Sequence, residues 1–231
     1  MPDVKLRSAD GGEFSAYLSL PPSGGRKVPG IVMMQQIFGV NAEMRGFTDD
    51  FAAHGYVAIC PDLYWRQEPG IELRPGAPGA FEKAVSIGRG FDALKAVEDL
   101  KVAVSYLRQH PACSGKVGTV GYCLGGLLAF LMAARSDADC NVGYFAVRME
   151  KHIEDAPKVR KPLMLHIPEK DRHVPPEVQA LIKEHLKGRA ELLLYPEADH
   201  AFNRVDAASY NKDVTNIAYE RTAAFLRQHL G

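Results

Sequence analysis

A cysteine between closely spaced glycines is the clearest candidate for chemistry in this sequence. Residues 121–125 (GYCLG) stand between a short apolar run at 116–120 and a longer apolar run that begins at Leu124. That context is typical of a nucleophile elbow, in which a strand turns sharply into a helix and the strained central side chain projects from the turn. Glycines serve where the backbones crowd, and a sulfur at a helix N-terminus is favoured as the thiolate. Cys123 is therefore the predicted nucleophile.

The alternative is that Cys123 is simply a small buried apolar side chain, as free cysteines often are. Cys60, Cys113 and Cys140 have no comparable surroundings and are interpreted as structural. Phosphate-loop patterns are absent from residues 110–126, so nucleotide binding loses its usual support.

An acid and a base follow the cysteine in chain order. Asp171 comes after a predicted strand at 162–167, and His200 comes after another at 191–195. Both would lie at carboxyl ends of strands, where open α/β sheets keep their sites, in the order nucleophile, acid, base. His200 would accept and return the thiol proton, and Asp171 would orient the imidazole. A solvated loop histidine is the alternative for His200.

Other carboxylates compete with Asp171 for the acid's role. They are Glu169, Asp199 and Asp206. Asp199 is adjacent to His200, where an ordinary loop braces the ring poorly, and Asp171 is favoured by its place beyond the preceding strand.

Acyl transfer also needs donors for a developing oxyanion. The backbone amide of Leu124 is one candidate, and that of Ile37, in the loop 35–39 (QQIFG), is the second. The competing interpretation of this loop is a turn closed by Gly39. Phe38, Tyr64 and Trp65 are candidates for an apolar pocket wall, although loop aromatics often only pack.

The elements that position these residues alternate along the chain. Strands are predicted over residues 14–20, 30–34, 56–60, 116–120, 141–145, 162–167 and 191–195. Helices are predicted over 42–54 and from Leu124, from Pro176 and from about Thr215. A further amphipathic helix is predicted from one apolar face, formed by Leu94, Val97, Leu100, Val104 and Leu107. Strands separated by helices predict an α/β fold, a mostly parallel doubly wound sheet with helices on both faces. No repeat or linker divides residues 1–231, so a single domain is expected.

Composition narrows the function classes. Lysines and arginines number 28, as do aspartates and glutamates, so no basic excess suggests nucleic acid or an anionic membrane. The Cys and His positions are not clustered in the sequence as metal ligands would be. His166 and His173 flank an acidic segment, but their spacing matches no common ligand pattern. The start lacks a signal-peptide pattern, so a cytoplasmic protein with reduced cysteines is expected.

Taken together, the motifs resemble the dienelactone hydrolase (carboxymethylenebutenolidase) family of the α/β-hydrolase superfamily. The similar stretches are QQIFGVN (35–41), GYVAICPDLYWRQ (55–67), GKVGTVGYCLGG (115–126), EKDRHVP (169–175) and EADHAFNR (197–204). The resemblance implies a Cys123–His200–Asp171 triad, oxyanion amides at Ile37 and Leu124, and hydrolysis of an enol-lactone without a cofactor.

Two departures from the family pattern bear on the substrate. Gln36 stands where the family carries a glutamate that interacts with the resting thiol, so we hypothesise that Cys123 rests paired with His200 alone and is more reactive. Arg204 matches one of two substrate-binding arginines, whereas the other aligns with Phe81, with Arg74 and Arg89 nearby. Loss of one charged clamp would cost about 1.5–3 kcal/mol of binding.

The sequence therefore predicts a hydrolase of a small ester or lactone. A different hydrolytic specificity, such as thioester or peptide cleavage, is a further possibility. The alternative from another class is a member of the fold that binds a small molecule or senses oxidants through Cys123. A monomer or small homo-oligomer is expected.

Overall fold

The computed structural model describes residues 3–22 and 25–231. The chain divides into two compact units, Met1–Thr119 and Val120–Gly231, and strand β5 runs through the boundary between them. The expectation of a single domain stays a prediction.

The first unit holds four strands and the start of a fifth. They are β1 (Asp3–Arg7), β2 (Glu13–Ser19), β3 (Val28–Met34), β4 (Val57–Pro61) and β5 (Cys113–Tyr122). The strand order is β1-β2-β4-β3-β5. β1 and β2 form an antiparallel edge, whereas β3 and β4 pair in parallel and are almost wholly buried. Continuous apolar runs are expected of strands that are covered on both faces.

Three helices complete the first unit. They are α1 (Ala42–Ala53), α2 (Ala80–Gly88) and α3 (Ala93–Gln109). Asn41 caps α1 by accepting from the Met44 amide, and Asp92 caps α3 by accepting from the Leu94 and Lys95 amides.

The second unit continues the order β5-β6-β7-β8. Its strands after β5 are β6 (Cys140–Tyr144), β7 (Leu163–Pro168) and β8 (Glu191–Tyr195), and the pairs β6–β7 and β7–β8 are parallel. The helices are α4 (Leu124–Arg135), α5 (Pro176–Leu186) and α6 (Lys212–Leu230), with a kinked 3-10 segment at Met149–Lys158. The predicted α/β fold with a mostly parallel sheet is confirmed.

Two predicted details were wrong. Leu94 is exposed and lies in the first turn of α3, two residues after the capping Asp92. α6 begins at Lys212 and not near Thr215, because Asn211 caps it through the Val214 amide.

Three elements were not predicted at all. These are β1, which buries only Leu6, the 3-10 segment, and α2, which lies between the strand predicted at 56–60 and the helical face predicted from Leu94. α2 has a short buried stripe at Ala80, Ala84 and Ile87 that carries helical periodicity.

Candidate active site

Cys123 occupies a strained turn between β5 and α4. Its backbone has φ +57° and ψ −108°, a conformation that L-residues rarely adopt and that costs about 1–3 kcal/mol. Gly121 allows this turn, because a Cβ there would lie 2.2 Å from the Gly125 carbonyl oxygen. The sharp turn expected of a nucleophile elbow is therefore present around Cys123, which is 7% exposed.

The turn is tied to the end of β6. The Cys123 amide donates to the Tyr144 carbonyl at 3.0 Å, and the Cys123 carbonyl accepts from the Gly126 amide at 3.0 Å. A Cβ on Gly126 would meet the Ala146 Cα and the Tyr144 oxygen, both at 2.8 Å. Both contacts are to backbone atoms, so only glycine lets α4 start this close to the β6 end.

Asp171 is a buried carboxylate in the loop after β7. Its Oδ1 accepts from the His173 backbone amide at 2.8 Å, and its Oδ2 accepts from His200 Nδ1 at 2.7 Å. Asp199, the adjacent competitor, instead accepts from the His200 backbone amide at 2.6 Å. The carboxylate that contacts the His200 ring is thus that of Asp171.

His200 lies between Asp171 and Cys123 and hydrogen-bonds to both. Burial disfavours the imidazolium, but the charge of the Cys123 thiolate and the hydrogen bonds to Asp171 and Cys123 outweigh it and raise the pKa of His200 to about 10. The ring therefore stays protonated through the neutral range. A thiolate–imidazolium pair is a state from which a cysteine can attack a carbonyl.

Two aromatic rings that the sequence did not single out for this site pack against His200. Phe145 lies edge-on at 4.8 Å between ring centroids and has φ +39°, and His173 lies edge-on at 4.7 Å. The pKa of His173 is lowered by burial and by the neighbouring His200 charge. Their signal in the sequence is weak: Phe145 directly follows β6, and His173 stands two residues after Asp171.

The two predicted oxyanion amides lie in different units. The Leu124 amide is the first residue of α4, directly after the thiol-bearing residue, at the positive end of the helix dipole. Ile37 lies in the loop after β3, where the Gly39 amide bonds back to the Gln36 carbonyl. Its role in an oxyanion hole stays a prediction.

The other predicted side chains of the first unit are buried, except Trp65, which is partly exposed. The Gln36 amide Nε2 donates to Glu43 Oε2 on α1 at 3.0 Å, and Phe38 is 9% exposed. Tyr64 is fully buried and packs edge-on against Phe91. Trp65 stacks on Phe14 at 5.8 Å between ring centroids. Tyr64 and Trp65 thus have packing contacts, which were the alternative to a role as pocket walls.

Arg204, the predicted substrate-binding arginine, lies four residues after His200. Its Nε donates to Asp206 Oδ1 at 3.0 Å, and its side chain is 21% exposed. The Asp206 carboxylate therefore already uses one of the hydrogen-bond donors of the Arg204 guanidinium. Phe81, the residue predicted to replace the other family arginine, is 52% exposed on α2.

The described residues were considered for a metal site and for a membrane-spanning helix. Among residues 3–22 and 25–231, no group of three or more His, Cys, Asp or Glu side chains is placed to hold a metal ion. Within the same ranges, no helix has the length and apolar character that crossing a membrane requires.

Comparison with known proteins identifies the family of the chain. The family model described as the dienelactone hydrolase family matches residues 14–230. The chain belongs to the dienelactone hydrolase family. Carboxymethylenebutenolidase 1 of Cupriavidus pinatubonensis is 39% identical over 225 residues, covering 96% of this chain and 95% of the relative. The carboxymethylenebutenolidase of Pseudomonas putida is 40% identical, covering 96% and 94%.

A solved structure supports the same assignment. A Klebsiella pneumoniae protein described as a dienelactone hydrolase is 26% identical and superimposes with a TM-score of 0.85 over 98% of both chains. The predicted family resemblance is confirmed, and with it the enzyme class, a carboxylic ester hydrolase.

Proposed function

We propose that this protein cleaves a small ester or lactone through a thioester acyl-enzyme on Cys123, with His200 as base and acid and Asp171 as the group that orients it. The observation that carries the proposal is the position of His200, whose ring hydrogen-bonds to both Asp171 and Cys123. The strained turn at Cys123 adds support, because such strain persists at sites where it presents a reactive group.

Acylation would begin with attack of the Cys123 thiolate on the substrate carbonyl carbon. The carbonyl oxygen becomes an oxyanion, which the Leu124 amide and the predicted second donor, Ile37, would stabilise. When the tetrahedral intermediate collapses, the C–O bond breaks and the His200 imidazolium gives its proton to the leaving oxygen. The product is a thioester; with a lactone, the freed hydroxyl group stays attached to the acyl chain.

Deacylation would use the same groups in reverse. His200, now neutral, takes a proton from a water that attacks the thioester carbonyl. The second tetrahedral intermediate expels the Cys123 thiolate and releases a carboxylic acid. Asp171 stabilises the imidazolium that forms again, since its Oδ2 accepts from Nδ1 and its Oδ1 is held by the His173 amide.

The substrate class follows from the relatives together with two features of this chain. The relatives are named carboxymethylenebutenolidases, so a lactone is the first candidate. Arg204 is paired with Asp206. The resemblance to the family places Phe81 at the position expected for the second arginine, with Arg74 and Arg89 nearby. We propose that a substrate carboxylate contributes less to binding here, with Gln36 and Phe38 as further substrate contacts and Tyr64 as support behind them.

The resting state of the thiol is part of the same proposal. Gln36 is an amide, and its Nε2 donates to Glu43. It carries no negative charge, so Cys123 would rest paired with His200 alone. A cytoplasmic location, a monomer or small homo-oligomer, no cofactor, and the absence of nucleic-acid and membrane partners stay predictions.

The test compares wild type with Cys123→Ala on an activated aryl ester and on a dienelactone. Cys140→Ala is the matched control, because Cys140 is a buried cysteine of β6 with no role in the proposal. We expect turnover in wild type and in Cys140→Ala, and loss of turnover by at least about 10³-fold in Cys123→Ala. The ratio of the two substrates measures how much the weakened carboxylate clamp matters.

Two outcomes would contradict the proposal. Equal turnover by Cys123→Ala and wild type would exclude the cysteine as nucleophile. A folded wild type that hydrolyses neither substrate, but whose Cys123 is rapidly oxidised by peroxide, would favour a redox sensor instead.

A further inference from the structure

A second set of polar side chains is buried in the unit that holds the triad. It consists of Tyr195, His166, Thr222 and Tyr144, which are at most 5% exposed. Tyr195 Oη lies 2.8 Å from His166 Nδ1, His166 Nε2 lies 2.9 Å from Thr222 Oγ1, and Thr222 Oγ1 lies 2.6 Å from Tyr144 Oη. We call this set the buried polar network.

The Ala218 end of the network fixes the direction of the hydrogen bonds next to it. The Ala218 carbonyl can only accept, and it lies 3.3 Å from Tyr144 Oη. Tyr144 donates its one proton there, so it accepts from the Thr222 hydroxyl, which in turn accepts from His166 Nε2. A neutral His166 with its proton on Nε2 then accepts at Nδ1 from Tyr195, whose oxygen also lies 3.4 Å from the donor Arg221 Nη1.

This ordering requires a neutral His166. A proton on Nδ1 would face a tyrosine hydroxyl that already donates to that atom. Burial lowers the pKa of His166 to about 3, and the charge of Arg221 acts in the same direction. Each hydroxyl donates once and accepts once, so the network is satisfied, which is the condition for a buried polar group to be tolerated. A network that ends at a backbone carbonyl does not pass protons to the triad.

Three members of the network belong to β6, β7 and β8, close in sequence to triad residues or hydrogen-bonded to their backbone. Tyr144 is the last residue of β6, and its carbonyl accepts the Cys123 amide. His166 in β7 lies five residues before Asp171. Tyr195, the last residue of β8, lies five residues before His200, and its carbonyl accepts the Glu169 amide at 3.0 Å.

We propose that the buried polar network is a positioning device: it holds the ends of β6, β7 and β8 in one register and so sets the distances among Cys123, Asp171 and His200. Thr222 on α6 is its central member, because its single hydroxyl joins His166 to Tyr144. A network with one satisfied bonding pattern specifies one arrangement of these strands, whereas an apolar layer tolerates small sliding. The proposal rests on the catalytic roles proposed above.

The test is Thr222→Val, which keeps the shape of the side chain and removes the hydroxyl. Thr222→Ser restores the hydroxyl and is the rescue variant. Thr48→Val is the control for lost stability, because Thr48 is a fully buried threonine of α1 whose hydroxyl donates to the Met44 carbonyl. Each variant is assayed for hydrolysis of an aryl ester and for alkylation of Cys123 by iodoacetamide from pH 5 to 10.

We expect Thr222→Val to lower kcat and the neutral-pH alkylation rate by about tenfold, with KM within about twofold, because small misplacements of catalytic groups reduce rate more than binding. Thr222→Ser should recover most of both rates, and Thr48→Val should change neither. Wild-type kcat and alkylation in folded Thr222→Val would overturn the proposal.

A second variant and a measurement that needs no substrate complete the test. If Thr222→Val does not fold, Tyr195→Phe removes one hydroxyl from the end of the network and takes the same measurements. The alkylation rate needs no substrate. A wild type without turnover would therefore contradict the proposed function, while the alkylation profile would still test the network.

Discussion

Replacing the thiol of Cys123 by a hydroxyl should lower the pKa of His200. Burial lowers this pKa, but the thiolate charge of Cys123 and the hydrogen bond that the thiolate accepts from the ring are two of the causes that raise it from its ordinary 6.5 to about 10. Cys123→Ser keeps the shape of the side chain and removes the charge. Burial then opposes only the contribution of Asp171.

The size of the effect follows from the contact. An opposite charge at hydrogen-bonding distance shifts a pKa by about 1–3, which is about 1–4 kcal/mol. The pKa of His200 in Cys123→Ser should therefore lie between about 7 and 9. Asp171 stays in place in this variant, so its 2.7 Å contact with Nδ1 should keep the pKa from falling far below that range.

The change also has a sign in the stability profile. The folded pKa of His200 lies above its unfolded value, so the stabilisation that protonation brings is fully present below about pH 6.5 and is lost as the pH rises through about 10. In Cys123→Ser that loss should be complete at a lower pH. Urea unfolding at pH 6, 8 and 10 measures the difference between the two proteins.

The direct assay is an NMR titration of the histidine side chains, with His200→Gln to assign the resonance. Cys140→Ala is the control and should leave the pKa of His200 near 10. A His200 that titrates at the same pH in wild type and in Cys123→Ser would refute the reasoning, because it would show that the thiolate does not set the charge of the ring.

Three further predictions concern packing and charge elsewhere in the chain. Gly126→Ala should destabilise the protein by about 1–3 kcal/mol in urea unfolding, because the added Cβ would meet backbone atoms at 2.8 Å. Gly46→Ala on α1 is the control and should be neutral or stabilising, because a Cβ there has nothing within 4 Å. Asp99→Ala should cost about 1–3 kcal/mol in the same assay, because it removes the buried acceptor of the Ser8 hydroxyl and of Trp65 Nε1. Arg66 also loses this partner but keeps its ion pair with Asp10, and unchanged stability would contradict the prediction. Asp206→Asn should lower KM for anionic substrates and leave neutral esters unchanged, because it releases Arg204; equal effects on both substrates would exclude that role.

Much of the fold could be predicted because its signals are local. β3 and β4 are continuous apolar runs, and the β5–α4 turn carries glycines at the positions where a Cβ would overlap the backbone. The missed elements lack such signals. β1 buries one side chain, Leu6, and α2 is short and begins at Gly79 in the left-handed conformation without a side-chain cap.

The site divides in the same way. Chain order and placement after strands were sufficient to select Asp171 and His200, which the structure brings into contact. The sequence could not show that Asp206 pairs with Arg204, or that Phe145 takes a positive φ against the imidazole, because these contacts depend on loop geometry. His166 was considered only as a metal ligand; its neutral role between Tyr195 and Thr222 depends on residues from three elements.

The most direct test of the central claim is to trap the acyl-enzyme. Wild-type protein is mixed with an activated aryl ester, quenched in acid within milliseconds to seconds, digested and analysed by mass spectrometry. The account predicts a thioester on the peptide that carries Cys123, absent from Cys123→Ala and removed by neutral hydroxylamine. Continued turnover with the acyl group on another residue, or with no adduct at Cys123 at any quench time, would contradict it.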